Sequence, residues 1–302
     1  MKISEMQIKR KDTSGTAEEI AFHRVIESAK DEEERICYDP YAIHFIGPEL
    51  LKFLEATACN YPVAKARMEE MNRLFPGTQN SIVARVRYFD NYLKASLEEG
   101  IEQLVILGAG YDTRAYRIKG LKGKVRVFEV DYQGTQNMKM EKIKEIFGSL
   151  PNHVAFVDAD VGSEELGIRL IEHGYDPSKK TIFIMEGLIY YIPPEGVDNL
   201  LSFIVHNSSK DSKIIFDYFP ESVVDGTCEL EVGKRIHERV KQSGEPFKFG
   251  IKEGNIEKFL KERGYSQIQN VTSEDYKKLY FHGKNENRDV CSLYVFVHAT
   301  VK

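Results

Sequence analysis

The sequence predicts an α/β protein: a seven-stranded, mostly parallel sheet with helices on both faces, an antiparallel C-terminal strand and an N-terminal helical cap. Three observations carry this. From residue 101 onward, short apolar runs rich in β-branched residues alternate with stretches long enough to hold a helix, the pattern of βαβ units around a buried sheet. The first run ends in Gly108-Ala-Gly110, and the second, about twenty residues later, ends in the acidic pair Glu129 and Asp131. The last two runs, 266–271 and 292–301, are joined by a polar loop and read as an antiparallel hairpin closing one sheet edge. Strand, glycine turn, helix and acidic strand end make the arrangement Rossmann-like.

The elements follow in order. Residues 1–100 read as the helical cap. Ile20, Ala21, Val25 and Ile26 share a helical period within 17–29, and a longer helix is expected over 81–97. Tyr38-Asp-Pro-Tyr41 breaks the chain between helices, because Pro40 disfavours helix in the residue before it; Pro48 and Pro62 punctuate further short helices. Residues 101–302 read as the sheet domain. Strands are expected at 104–107, 125–130, 154–157, 181–185 and 213–216, with helices at 138–147, 164–173 and 196–206. A polar, charge-rich insertion at about 220–250, with a helix at 229–242, reads as a lid over the substrate; a helix at 255–263 precedes the final strands.

Bulk properties narrow the function classes. A net charge of −5 and a pI near 6.0 argue against general nucleic-acid binding, which needs a basic surface. No apolar run reaches the roughly 18 residues of a membrane span, and the charged N-terminus lacks the apolar core of a secretory signal. Cys37, Cys59, Cys228 and Cys291 are scattered without a C-x-x-C pair. They read as reduced thiols of a cytoplasmic protein without a metal site.

The chemistry-bearing positions gather at the carboxyl ends of the expected strands. Glycines 108 and 110 lack the Cβ that would keep a ligand off the backbone. A dinucleotide G-x-G-x-x-G would place a third glycine at 113, where Thr113 stands, which weakens the pyrophosphate-binding reading. Glu129 and Asp131 lie two apart on a strand and face the same way, so either carboxylate could accept both hydroxyls of a ribose. Asp158 and Asp160 end the third strand; a carboxylate there serves an adenine amine or caps the following turn. Glu186 leaves the fourth strand into an aromatic loop, Gly187-Leu-Ile-Tyr-Tyr191. Arg85 and Arg87, two apart on a helix, point in different directions, so that one could clamp a ligand carboxylate while the other is solvated.

Asp39-Pro-Tyr-Ala-Ile-His-Phe45, Ala84-Arg-Val86, Leu107-Gly-Ala-Gly-Tyr-Asp-Thr-Arg114 with Tyr116-Arg117, Phe128-Glu-Val-Asp131, Val157-Asp-Ala-Asp-Val161 and Glu186-Gly-Leu-Ile-Tyr-Tyr191 occur in that order. In this the chain resembles the class I S-adenosylmethionine-dependent methyltransferases. More narrowly it resembles the leucine carboxyl methyltransferase superfamily, with its bacterial and archaeal small-molecule O-methyltransferases. The resemblance spans roughly residues 20–200, and the Leu-Gly-Ala-Gly-x-Asp-Thr-Arg string is its most specific part. It implies S-adenosyl-L-methionine as cofactor. Arg85 would then hold the methionine carboxylate, and Gly108 and Gly110 would let the cofactor lie against the backbone. Asp131 would bind the ribose, Asp160 with the backbone of Val161 would read the adenine amine, and Glu186 would contact the methionine end. Many family members carry a basic residue in the first helix that contacts the cofactor carboxylate; Arg24 is the nearest candidate, at a spacing to Asp39-Pro40 that departs from the pattern.

Methyl transfer is in-line displacement, in which the cofactor carries the reactivity and the protein supplies alignment. A carboxylate acceptor is ionised near neutral pH and needs no base, whereas a hydroxyl or phenol does. No catalytic residue is assigned. Tyr190, Tyr191, Asp217 and Tyr218 lie near the expected sheet edge and are the candidates to contact an acceptor. Lys234, Arg235 and Arg239 in the insertion are either a solvated helix face or recognise an acidic acceptor. The favoured reading is methyl transfer from S-adenosylmethionine to an oxygen of a small molecule. The alternatives are a protein C-terminal carboxyl methyltransferase, an NAD-dependent oxidoreductase and a non-catalytic cofactor-binding protein.

Overall fold

The computed structural model describes residues 15–59 and 62–302; the reading of residues 1–11 as lacking a secretory signal lies outside them. Helices α1 (Gly15–Ser28), α2 (Pro48–Ala58), α3 (Pro62–Leu74) and α4 (Thr78–Glu98) precede the sheet. Then β1 (Gln103–Leu107), α5 (Arg114–Arg117), β2 (Arg126–Asp131), α6 (Gln133–Phe147), β3 (Val154–Asp158), α7 (Leu166–Glu172), β4 (Thr181–Met185), α8 (Pro194–His206) and β5 (Lys213–Tyr218) alternate as expected. The chain closes with α9 (Glu221–Asp225), α10 (Glu231–Gln242), α11 (Ile256–Glu262), β6 (Tyr265–Val271), α12 (Ser273–Tyr280) and β7 (Val295–Val301).

The strands form one sheet in the order β3-β2-β1-β4-β5-β7-β6. β1 to β5 are parallel, and β7 inserts antiparallel between β5 and β6. β1 and β4 are buried along their whole length, which explains their unbroken apolar sequences. Alternation still divides the core in two. Val105 and Leu107 of β1 pack with α7, α8 and α11 on one face, while Leu104 and Ile106 pack with α4 and α12 on the other. The strand order reverses between β1 and β4, so the turns leaving these two strands diverge and open a crevice at their carboxyl ends.

One expectation fails. The connection between the last two strands is not simply a polar loop: it contains α12. A capping box between Thr272 and Asp275 starts this helix, and Tyr276 anchors it in the core, its hydroxyl donating to Ser81 Oγ at 2.9 Å. The rest of the helix is mostly polar, so its period is carried by too few apolar residues to register in the sequence.

α1 lies over the glycine turn. Ala21 and Val25 pack with Ala42, Phe45, Tyr111 and Ile143, which joins the first helix to the 39–45 segment, the turn after β1, and α6. Gly77 precedes α4, and its φ of +72° and closeness to backbone leave no room for a side chain: an added Cβ would clash with the Val290 carbonyl carbon. Gly77→Ala is expected to lower stability by about 1–3 kcal/mol, read as a shifted urea midpoint. An unchanged midpoint would mean that the 290–291 strap is free to move away from the helix carrying Arg85.

Candidate functional site

The crevice is a cavity of about 650 Å³. Its floor is the turn 108–112 after β1, and its walls are the carboxyl ends of β2, β3 and β4. The α1 residues Thr16, Ala17, Ile20 and Arg24 and the loop residues Gly244, Glu245, Pro246 and Lys248 complete it. Arg85, Gly108, Gly110, Asp131, Asp160, Val161, Glu186, Tyr190 and Tyr191, named above from sequence, all line it.

At the turn, Gly108 and Gly110 both take positive φ, +62° and +41°. The need for glycine at 108 also comes from its neighbour: a Cβ there would lie 2.8 Å from Leu188 Cδ1, so the loop after β4 closes directly onto the turn. Asp131 ends β2 with its carboxylate against the same turn. Oδ2 accepts from the Gly110 N–H at 2.6 Å and Oδ1 from the Tyr132 N–H at 2.7 Å. A carboxylate oxygen accepts more than one bond, so acceptor capacity remains on the cavity side. Burial raises the Asp131 carboxyl above its usual range, and the two N–H donors oppose that shift. Asp160 is exposed, with Oδ1 accepting from the Gly162 N–H at 3.0 Å, and Val161 beside it is buried. Asp158 is exposed and outside the lining.

Behind the cavity runs a buried chain of alternating charge. Arg24 Nη1 meets Asp39 at 3.1 Å; Asp39 also faces Arg117, which pairs with Asp90. Asp90 pairs at 2.7 Å with Arg114, which meets Asp112 and, at 2.6 Å, Glu186. Glu186 meets Arg85 Nε at 3.2 Å, and Arg85 ends the chain on Asp217. Burial works against ionisation of Asp112, but Arg114 overcomes it and holds that carboxyl at about 2. Burial likewise opposes the charge on Arg85 and Arg114, and their carboxylate partners override it, keeping both guanidiniums protonated. This chain accounts for two motifs that sequence alone left without a role. Asp39 caps the N–H groups of Tyr41 and Ala42 and accepts from Thr113 Oγ1 at 2.7 Å; Arg114 positions Glu186. It also places Arg24, whose Nη2 donates to the Tyr111 carbonyl at 2.7 Å, in the cavity wall despite its unusual spacing. Arg87 is exposed on the opposite side of α4.

Three groups raised as acceptor contacts lie away from the cavity. Tyr218 lies outside the lining, its hydroxyl donating to Asn270 Oδ1 on β6 at 3.0 Å. Asp217 sits behind Arg85 and accepts from the Gly187 N–H at 2.7 Å. Lys234, Arg235 and Arg239 are engaged by Glu231, by the carbonyls of Arg73 and Leu74, and by Glu19, away from the cavity. The insertion reaches the cavity instead through residues 244–248, whose polar sequence carries no periodic signal.

With the geometry in place, the relatives bear on it directly. The model of the leucine carboxyl methyltransferase family matches residues 17–205. The chain belongs to this family. Among its members' relatives, YktD of Bacillus subtilis, named as a candidate S-adenosyl-L-methionine-dependent methyltransferase, is 31% identical over 220 residues, covering 73% of this chain and 72% of YktD. A protein of Mycobacteroides abscessus with the same naming is 33% identical over 190 residues, 63% of this chain and 61% of that protein. Two crystal structures share the fold. A candidate methyltransferase from Thermobifida fusca YX has a TM-score of 0.58 at 17% identity, over 79% of this chain and 88% of that one. A DUF574 family protein from Streptomyces avermitilis has a TM-score of 0.60 at 14% identity, over 96% and 98%.

The two sequence relatives are named for S-adenosylmethionine, and the residues of this site fit that cofactor on three counts. Arg85 Nη2 is buried without a hydrogen-bond partner among the described residues, as a carboxylate-binding donor would be. Asp131 keeps free acceptor capacity beside the glycine turn. The buried chain sets four arginines against five carboxylates, a net negative charge facing a ligand whose sulfonium and ammonium outnumber its carboxylate.

Proposed function

We propose that the protein transfers a methyl group from S-adenosylmethionine to an oxygen of a small-molecule acceptor, with a carboxylate as the favoured acceptor. The observation that carries the donor half is the pairing, across one cavity, of Asp131 at the glycine turn with Arg85 Nη2, unpartnered among the described residues. In this reading Arg85 holds the methionine carboxylate, with Arg24 a further cation in the cavity lining. Gly108 and Gly110 bring backbone to the ligand, Asp131 takes the ribose, Asp160 and Val161 take the adenine, and Glu186, fixed between Arg114 and Arg85, faces the methionine end.

When bound, the cofactor supplies an electrophilic methyl on sulfur; the residues have to align an acceptor and exclude water. A hydroxyl acceptor would require a base within reach. Among the described residues no histidine or cysteine lines the cavity. Burial pushes the phenols of Tyr190 and Tyr191 well above their usual value, so both stay protonated as donors. Two protonated phenols and Lys248 offer donors to an acceptor that is already an anion, while a hydroxyl acceptor would have to use the Glu245 carboxylate as its base. The helices before residue 100 then act as the cap, and the 220–250 insertion as the lid, through Glu245, Pro246 and Lys248.

Calorimetry with S-adenosylmethionine and S-adenosylhomocysteine tests the donor half: binding is expected, and its absence at high micromolar concentration would overturn the reading. A radiolabelled methyl-transfer screen of small carboxylic acids, phenols and carboxy-terminal peptides tests the acceptor. Base-labile methyl esters of small acids are expected; turnover confined to phenols would reject the carboxylate, and turnover confined to peptides would reject the small molecule.

A further inference from the structure

Below the glycine turn, on the side away from the cavity, two buried charged groups meet a half-buried tyrosine. Lys139 of α6 and Glu129 of β2 are 1% and 0% exposed. Lys139 Nζ lies 2.8 Å from Glu129 Oε2, 3.4 Å from the Ala109 carbonyl and 5.8 Å from the centre of the Tyr116 ring. The Tyr116 hydroxyl donates to the same Glu129 oxygen at 3.1 Å, and Glu129 Oε1 has no partner among the described residues. None of the three lines the cavity. A lysine and a glutamate taken out of water are a costly pair to bury, and stability alone is better served by apolar side chains of similar size.

What the pair touches gives it a use. The Ala109 carbonyl, reached by Lys139, belongs to the same peptide unit as the Gly110 N–H, which donates to Asp131 at 2.6 Å. One rigid peptide plane therefore has Lys139 on its buried end and the cavity carboxylate on the other. The Ala109 carbonyl also accepts from the Asp112 N–H at 2.8 Å, and the Ala109 N–H donates to the Val130 carbonyl at 2.9 Å. Turning that plane would take the donor away from Asp131.

We propose that Lys139, held by Glu129 and Tyr116, is a positioning residue for the cofactor: it sets the tilt of the 109–110 peptide and through it the orientation of the Asp131 carboxylate. The inference rests on the cofactor reading above.

The test uses the full chain and S-adenosylhomocysteine in calorimetry, with urea unfolding in parallel. Lys139→Met leaves Glu129 buried and unpaired, so it is expected to lose both stability and affinity. Lys139→Met with Glu129→Gln relieves the unpaired charge, so stability is expected to recover while affinity stays about tenfold weaker, because the Ala109 carbonyl then keeps the Asp112 N–H but loses Lys139. The decisive readout is coupling between residues that do not touch: Asp131→Asn is expected to cost less affinity in the Lys139→Met, Glu129→Gln background than in the wild type. Recovery of full affinity together with stability, or strictly additive effects of the Asp131 and Lys139 changes, would overturn the positioning role. Absence of binding by the wild type would overturn the cofactor reading and the role that depends on it.

Discussion

Arg85→Met is expected to cost about 3–5 kcal/mol of stability, because it removes one member of a buried ionic network and leaves the rest in place. Arg85 is 1% exposed. Its Nη1 holds Asp217, its Nε holds Glu186, and Asp217 in turn fixes the Gly187 N–H. Without the guanidinium, Asp217 loses its only cation among the described residues, and Glu186 keeps only Arg114. The pH dependence has a definite sign. A buried carboxylate stripped of its cation binds a proton more tightly folded than unfolded, so its folded pKa rises above its unfolded value. The stability of the variant is then greatest below the unfolded carboxylate pKa and falls as pH rises towards the raised one. Urea unfolding at pH 5 and pH 8 should show a deficit, relative to wild type, that is smaller at pH 5. Arg85→Lys preserves the charge but cannot span both carboxylates with a planar fork, so it should fold and still bind cofactor weakly. Wild-type stability for Arg85→Met at pH 8 would show that the network is energetically idle.

The sheet was legible because it is buried on both faces, so that β1 and β4 are written as unbroken apolar runs and the turn after β1 needs positive φ at two positions. The cavity wall at the strand ends was legible for a related reason: Asp131, Asp160 and Glu186 are polar residues at the ends of apolar runs, where a change of character is easy to see. The opposite wall was not. Thr16, Ile20, Glu245 and Lys248 come from two distant segments, 229 residues apart where Thr16 and Glu245 meet, and the hydrogen bond of 2.7 Å between that pair leaves no local trace. Tyr218 and Asp217 show the opposite limit. Both stand near a sheet edge, as the cavity-lining residues do, but strand alternation and the neighbour β7-β6 pair turn them into the structure, towards Asn270 and Arg85. Proximity to the carboxyl edge of a strand marks candidates; only the facing direction separates those that line the cavity from those that support it.

Asp131→Ala is expected to weaken S-adenosylmethionine binding at least tenfold, about 1.4 kcal/mol or more, since it removes a charged acceptor from two ribose hydroxyls. The structure sharpens this in two ways. Glu129, two residues earlier on β2 and facing the same way, was the alternative ribose ligand; it is fully buried against Lys139 and Tyr116, so it cannot take over when Asp131 is lost. The alanine also frees the Gly110 and Tyr132 N–H groups, so the turn itself loosens. Asp131→Asn keeps one acceptor oxygen and should fall between wild type and alanine. Because burial raises the Asp131 carboxyl above its usual range, wild-type affinity should decline as pH falls through that raised value, where protonation replaces an acceptor with a donor. That decline should be absent in Asp131→Asn, which does not titrate. Calorimetric titrations of the three proteins between pH 4.5 and 8 would establish this. Unchanged affinity in a folded Asp131→Ala protein would remove the ribose from β2 altogether, because no second carboxylate on that strand reaches the cavity.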